Sequence, residues 1–136
     1  MRVLAIDHGT KRIGLAISDE LKTIAQPSGF LLANPIEKFF EQLQQLIREK
    51  EVELILVGMP RNMDGTYGPS AQRVQEFVAI LREKVSVPIR TWDERLTSAQ
   101  ANRMLIASGA RRSDRKQKTD ATAAAIVLQS YLDASQ

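Results

Sequence analysis

Three observations predict an α/β domain built on a five-stranded mixed sheet, its first three strands antiparallel, with helices on both faces. Two apolar runs, Val3-Leu4-Ala5-Ile6 and Ile13-Gly14-Leu15-Ala16-Ile17, flank a turn that holds Gly9, which is the pattern of a β-hairpin. Beyond a third strand-like run the chain alternates between strand and helix periodicities. The 136 residues suit one domain spanning 1–136, and no repeat, low-complexity stretch or shift in composition marks a second. A domain of this length hides roughly two-thirds of the surface of its unfolded chain, enough for a core without covalent staples.

The hairpin strands cover about residues 2–7 and 12–18, and a third strand lies near Ile24 to Leu32, before the Asn34-Pro35 break. Ile36, Phe39, Phe40, Leu43, Leu46 and Ile47 then share one helical face. Glu53 to Val57 reads as a short strand stopped by Gly58-Met59-Pro60, and Arg61 to Gly68, with Asn62, Asp64 and Gly65, reads as a loop. Pro69 opens a helix whose apolar stripe is Val74, Phe77, Val78 and Leu81. Val87 to Trp92 forms the fifth strand, and Thr97 caps a helix that turns Ala101, Met104 and Leu105 inward. Ser108 to Gln117 is polar, basic and glycine-containing, which predicts a loop. The last helix runs from about Thr119 to Asp133 over an inner face of Ala121, Ala124, Ala125, Leu128 and Leu132.

Composition narrows the chemistry. Without cysteine there are no disulfides, zinc–thiolate sites or thiol nucleophiles, which agrees with a reducing compartment. A single histidine, His8, rules out a histidine-rich metal centre. Catalysis then rests on carboxylates, lysines, hydroxyls or a bound ion. A net charge of +3 permits a nucleic-acid partner without demanding one. No apolar run approaches the roughly 20 residues of a membrane span, and the opening residues read as a strand, so the expected setting is cytoplasmic with no membrane partner.

Asp7 ends an apolar strand, where a carboxylate is costly to bury unpartnered. It serves equally as a turn aspartate and as a metal ligand, and an oxygen-bound divalent ion wants more than one acid. Asp93 and Glu94 stand at the C-terminal end of the fifth strand, where open α/β sheets carry their sites, although solvation or a pair with Arg95 would also explain them. Asp120 opens the alanine-rich last helix, a position the helix dipole alone would favour. Three acids converging at the strand ends would suit a two-metal phosphoryl site using Mg²⁺ or Mn²⁺. Just before Asp120, the stretch 111–118 carries five basic residues, Arg111, Arg112, Arg115, Lys116 and Lys118, against one acid. That run is either a solvated segment or a clamp on a phosphate backbone. Lys11, Arg12 and Arg61 are weaker members of the same set. Trp92 and the phenylalanines read as core, and Tyr67 is the aromatic left open for substrate.

The segments Ala5-Ile6-Asp7-His8-Gly9-Thr10-Lys11-Arg12-Ile13-Gly14-Leu15-Ala16, Val57-Gly58-Met59-Pro60, Asp93-Glu94-Arg95-Leu96-Thr97 and Lys118-Thr119-Asp120-Ala121-Thr122-Ala123-Ala124 together resemble the bacterial YqgF/RuvX family. The resemblance implies an RNase H-like fold and kinship with RuvC-type Holliday junction resolvases. It also implies hydrolysis of phosphodiester bonds in maturation of the 5′ end of pre-16S rRNA, leaving a 5′-phosphate. Carried over residue by residue, it makes Asp7, Glu94 and Asp120 the metal-binding catalytic acids, with strand alternation turning Asp93 away from Glu94 if the fifth strand continues that far. One departure stands out. RuvC-type resolvases place their second acid at the end of the fourth strand, where this chain has Gly58-Met59-Pro60.

Three rivals accompany that reading. The Asp7-His8-Gly9-Thr10 turn also resembles the first phosphate loop of actin-like ATPases and sugar kinases, which need two such domains around a nucleotide. A non-catalytic nucleic-acid-binding module would have to tolerate three carboxylates against a phosphate backbone. Junction resolution applies the same chemistry to branched DNA. The expected partner is therefore pre-rRNA or branched DNA, and the expected state is a monomer or weak homodimer.

Overall fold

A Cβ on Gly9 would lie 2.3 Å from the carbonyl oxygen of Arg12, so only glycine fits the turn that folds β1 (Arg2–Asp7) back onto β2 (Arg12–Ser18). The computed structural model describes residues 1–60, 66–94 and 112–135, with the backbone alone for 112–120. After the hairpin come β3 (Ala25–Leu32), α1 (Ile36–Glu49), β4 (Val52–Met59), α2 (Pro69–Lys84), β5 (Ile89–Asp93) and α3 (Arg112–Ala134). The sheet order is β3-β2-β1-β4-β5. β1, β2 and β3 are antiparallel neighbours, while β4 runs parallel to both β1 and β5, giving the expected mixed sheet.

Strand alternation divides the core into two layers. Leu4, Ile6, Ile13, Leu15, Ile55 and Val57 face α1 and α2, where Phe39, Phe40, Leu43, Val74, Phe77, Val78 and Leu81 are buried. Each such side chain contributes about 1.5–3 kcal/mol on burial. Val3, Ala5, Ala16 and Leu56 face α3 and meet Ala124, Ala125, Val127, Leu128 and Leu132. The alanines on both sides let α3 lie close across β1, β2 and β3. Val127 sits beside Gly58 near the end of β4, whereas Leu132 shares a groove with Val3 at the start of β1, so α3 runs antiparallel to β1.

Polar contacts fasten the end of α3 remote from the strand C-termini. The Gln129 side-chain oxygen accepts the Ala25 N–H at 2.9 Å, and its amide donates to the Thr23 carbonyl at 3.0 Å. The Trp92 indole N–H donates to Ser130 Oγ at 3.3 Å, and its ring meets Tyr131 edge-on at 5.4 Å. Buried Ser18 accepts the Val3 N–H at 2.9 Å, next to the point where the pairing of β1 with β4 shifts register.

Four expectations need correction. The segment 112–117, read as loop from its charge, is the first part of α3, because lysine, arginine and glutamine are good helix formers. Gly58 does not stop β4 but continues it, paired with Trp92 of β5. β5 begins at Ile89 rather than Val87, since Pro88 has no N–H for the ladder and offers only its carbonyl, to the Ile55 N–H at 2.9 Å. Phe30 is not core: on the edge strand β3 it is 39% exposed, with the Arg12 guanidinium 5.3 Å from its ring centre. The helix expected after Thr97 lies outside the described residues. Among the described residues no helix is long and apolar enough to cross a membrane.

Candidate active site

Asp7 is the last residue of β1 and follows Val3 and Ala5 in the register that faces α3. The β1–β4 ladder ends at Ile6 opposite Val57, so Asp7 and Gly58 are the next residues on the two strands, and both line one cavity. Gly58 explains how a carboxylate from β5 reaches this place. A Cβ there would stand 2.9 Å from Glu94 Oε1, 3.4 Å from Glu94 Cγ and 3.4 Å from Val127 Cγ2. The Glu94 carboxylate therefore fills the volume that a side chain at 58 would take, next to Asp7. β4 ends without an acid, and Glu94, just past the end of β5, places its carboxylate where a Cβ of residue 58 would stand.

Asp7 and Glu94 line one cavity of about 280 Å³, together with Thr10, Gly58, Ser70 and Arg73. Asp93 pairs with Met59, a core residue of the α1–α2 side, and does not line the cavity. β5 ends at Asp93, so Glu94 lies just past the strand, and of the two acids only Glu94 lines the cavity.

His8 also lines the cavity, its ring packed 4.7 Å from that of Phe77. Burial, and then the charge of Arg73, hold the pKa of its imidazole below the usual 6.5. Arg73 comes from the second turn of α2, and its Nη2 donates to Ser70 Oγ at 3.3 Å. Sequence reading missed both Ser70 and Arg73. The available signal was the position of Pro69 as the first residue of a helix that follows β4, which brings the first turns of α2 to the strand ends where such sheets carry their sites.

The remaining sequence candidates divide by location. Lys11 and Arg12 are exposed on the hairpin beside Asp7 but outside the cavity, and Arg12 turns to Phe30. Asp120 belongs to α3, one helical turn before Ala124 and two before Val127, as do Arg112, Arg115, Lys116 and Lys118 further upstream. Their side chains, and all of Arg61 and Arg111, lie outside the described residues. Among the described residues no group of three acids, histidines or cysteines is gathered for a metal ion. The donor chemistry nonetheless fits one. Asp7 and Glu94 offer hard oxygen ligands in one cavity, the set that Mg²⁺ and Mn²⁺ accept, and a cation would offset their mutual repulsion.

Comparison with known proteins places this geometry in a family. A family model described as "RuvX: Holliday junction resolvase" matches residues 1–134. A relative from Desulforamulus reducens is 46% identical over 133 residues, covering 98% of this chain and 97% of its own. Another, from Thermoanaerobacter pseudethanolicus, is 46% identical over 137 residues, covering 100% and 99%. Both are provisionally named as pre-16S rRNA nucleases. Among solved structures, Thermus thermophilus RuvC in complex with a Holliday junction substrate superposes with a TM-score of 0.63 at 14% identity, covering 100% of this chain and 97% of that one. The Fowlpox virus resolvase bound to Holliday junction DNA gives 0.58 at 10%, covering 99% of each chain. At such identities the likeness is one of fold, and that fold is RNase H-like. With the family model matched over nearly the whole chain and relatives alike from end to end, the chain belongs to the RuvX family.

Proposed function

We propose that this protein is a metal-dependent nuclease that hydrolyses phosphodiester bonds of the 16S rRNA precursor at its 5′ end. The observation that carries the reading is that Asp7, at the end of β1, and Glu94, just past the end of β5, line one cavity beside Gly58. The names of the relatives supply the substrate. Asp7, Glu94 and Asp120 are the residues that would hold the ions. Two divalent ions, when bound, supply an acidified water and offset charge on the leaving 3′-oxygen. The absence of a side chain at 58 leaves room for the Glu94 carboxylate in the cavity that Asp7 also lines. His8 packs on Phe77 at the wall of the same cavity. Lys11, Arg12, Arg61, Arg111, Arg112, Arg115, Lys116 and Lys118 position the strand by its phosphates rather than read its bases.

Cleavage of four-way DNA junctions is the second reading, favoured by the description of the matched family model. A cleavage assay on 5′ fragments of pre-16S rRNA and on four-way junctions, with Mg²⁺ or Mn²⁺, separates the two. The expected result is RNA cleavage that is abolished by chelation or by Asp7→Asn, with thermal unfolding and RNA binding unchanged in the variant. Full activity of Asp7→Asn would sink the assignment, and metal-independent binding without cleavage of either substrate would favour a non-catalytic module.

A further inference from the structure

Among the described residues that line the cavity, Arg73 is the one with a permanent positive charge, and it stands with Asp7 and Glu94. Its guanidinium carries five N–H donors and lends one, from Nη2, to Ser70 Oγ at 3.3 Å, which leaves four for another acceptor. Among the described residues it makes no ion pair, so no carboxylate claims its charge for stability. A phosphodiester entering the cavity meets two acids of its own sign. A cation offset acts on the acids, but the non-bridging oxygens also need donors, and a planar fork matches two of them at once.

We propose that Arg73 is a phosphate-binding residue of this site, donating to the non-bridging oxygens of the phosphodiester held beside Asp7 and Glu94. The proposal rests on the nuclease reading above, and the test keeps the two apart. Cleavage of a 5′ pre-16S rRNA fragment is compared for the parent protein, Arg73→Ala, Arg73→Lys and Asp7→Asn. Affinity for the same RNA is measured against salt in the uncleaving Asp7→Asn background, with and without Arg73→Ala. Arg73→Ala is expected to lower cleavage on the order of 100-fold, with Arg73→Lys recovering only part of it because the fork is lost. The slope of log affinity against log salt should fall by about 0.7, the release expected for one contact to a single strand. If Asp7→Asn is inactive while Arg73→Ala keeps parental cleavage and salt slope, the proposal is wrong and the acid site stands. Lost cleavage with an unchanged slope also overturns it, since that marks a structural role. If Arg73→Ala does not fold, the same two readings on Arg73→Lys decide. An active Asp7→Asn would instead remove the nuclease site on which the proposal is built.

Discussion

A methyl group on Gly58 would press on the far end of a flexible side chain, the Glu94 carboxylate at 2.9 Å, and more lightly on Val127 at 3.4 Å. The strand itself need not move. Gly58→Ala is therefore expected to displace Glu94 and lower cleavage by about 10- to 100-fold, since a shift near 1 Å in a catalytic group can cost that much. Thermal unfolding of the variant should stay within a few degrees of the parent; an unchanged rate would mean that the seat of Glu94 over Gly58 has no part in catalysis. At this scale the sequence was informative for Asp7 and Glu94, because an acid that follows an apolar strand stands out against its surroundings. Arg73 did not stand out. It falls between the apolar positions Val74 and Ala71 of a helix, where an arginine normally means a solvated face, and only the tertiary placement of α2 against the end of β1 gives it a task.

The turn between β2 and β3 is built around Asp19. Its carboxylate accepts the N–H groups of Thr23 and Ile24 at 2.8 and 3.0 Å, and the Thr23 hydroxyl at 2.9 Å. The backbone bonds from Ile24 and Thr23 hold its pKa below the ordinary 3.8. A depressed folded pKa means stabilisation that is fully present above the unfolded value and is lost as pH falls through the folded one. Asp19→Asn should therefore flatten the fall in stability on acidification below about pH 4, as read by urea unfolding at a series of pH values. A steep acid limb that survives the substitution would assign that limb to other carboxylates. Elements were legible where periodicity was strong: the stripe of α2 and the inner face of α3 are buried, and that of α1 is buried at Phe39, Phe40 and Leu43 and partly buried at Ile36, Leu46 and Ile47. The start of α3 was misjudged because charge was weighed above helix propensity, and the ends of β4 and β5 because strand ends depend on pairing that a sequence does not display.

For the molecule as a whole, the sheet order gathers chemistry at one pole and fastening at the other. Asp7, Gly58 and Glu94 lie at the C-terminal ends of parallel strands, while Gln129 ties α3 to the β2–β3 turn at the opposite end. Gln129→Leu leaves the Ala25 N–H and Thr23 carbonyl without these partners and is expected to cost about 1–3 kcal/mol. The turnover number at a temperature where the variant is folded should be that of the parent, and a fall in both would show that the two poles are mechanically coupled. The mixed sheet was foreseeable from a meander followed by strand–helix alternation. The neighbour relation of β1 and β4, which brings their C-terminal ends together, is the long-range fact on which the cavity depends.

The tandem of Asp93 and Glu94 has a consequence for fidelity of assembly. β5 is a short edge strand, and a slip of one residue against β4 exchanges the two faces of such a strand. A slipped β5 would still offer an acid toward Gly58, but it would be Asp93, one methylene shorter, in a site that outwardly looked intact. Trp92 guards against that substitution. Its indole reaches Ser130 and Tyr131 only when it faces α3, so the ring works as a locating pin that decides which of two adjacent acids is presented to Asp7.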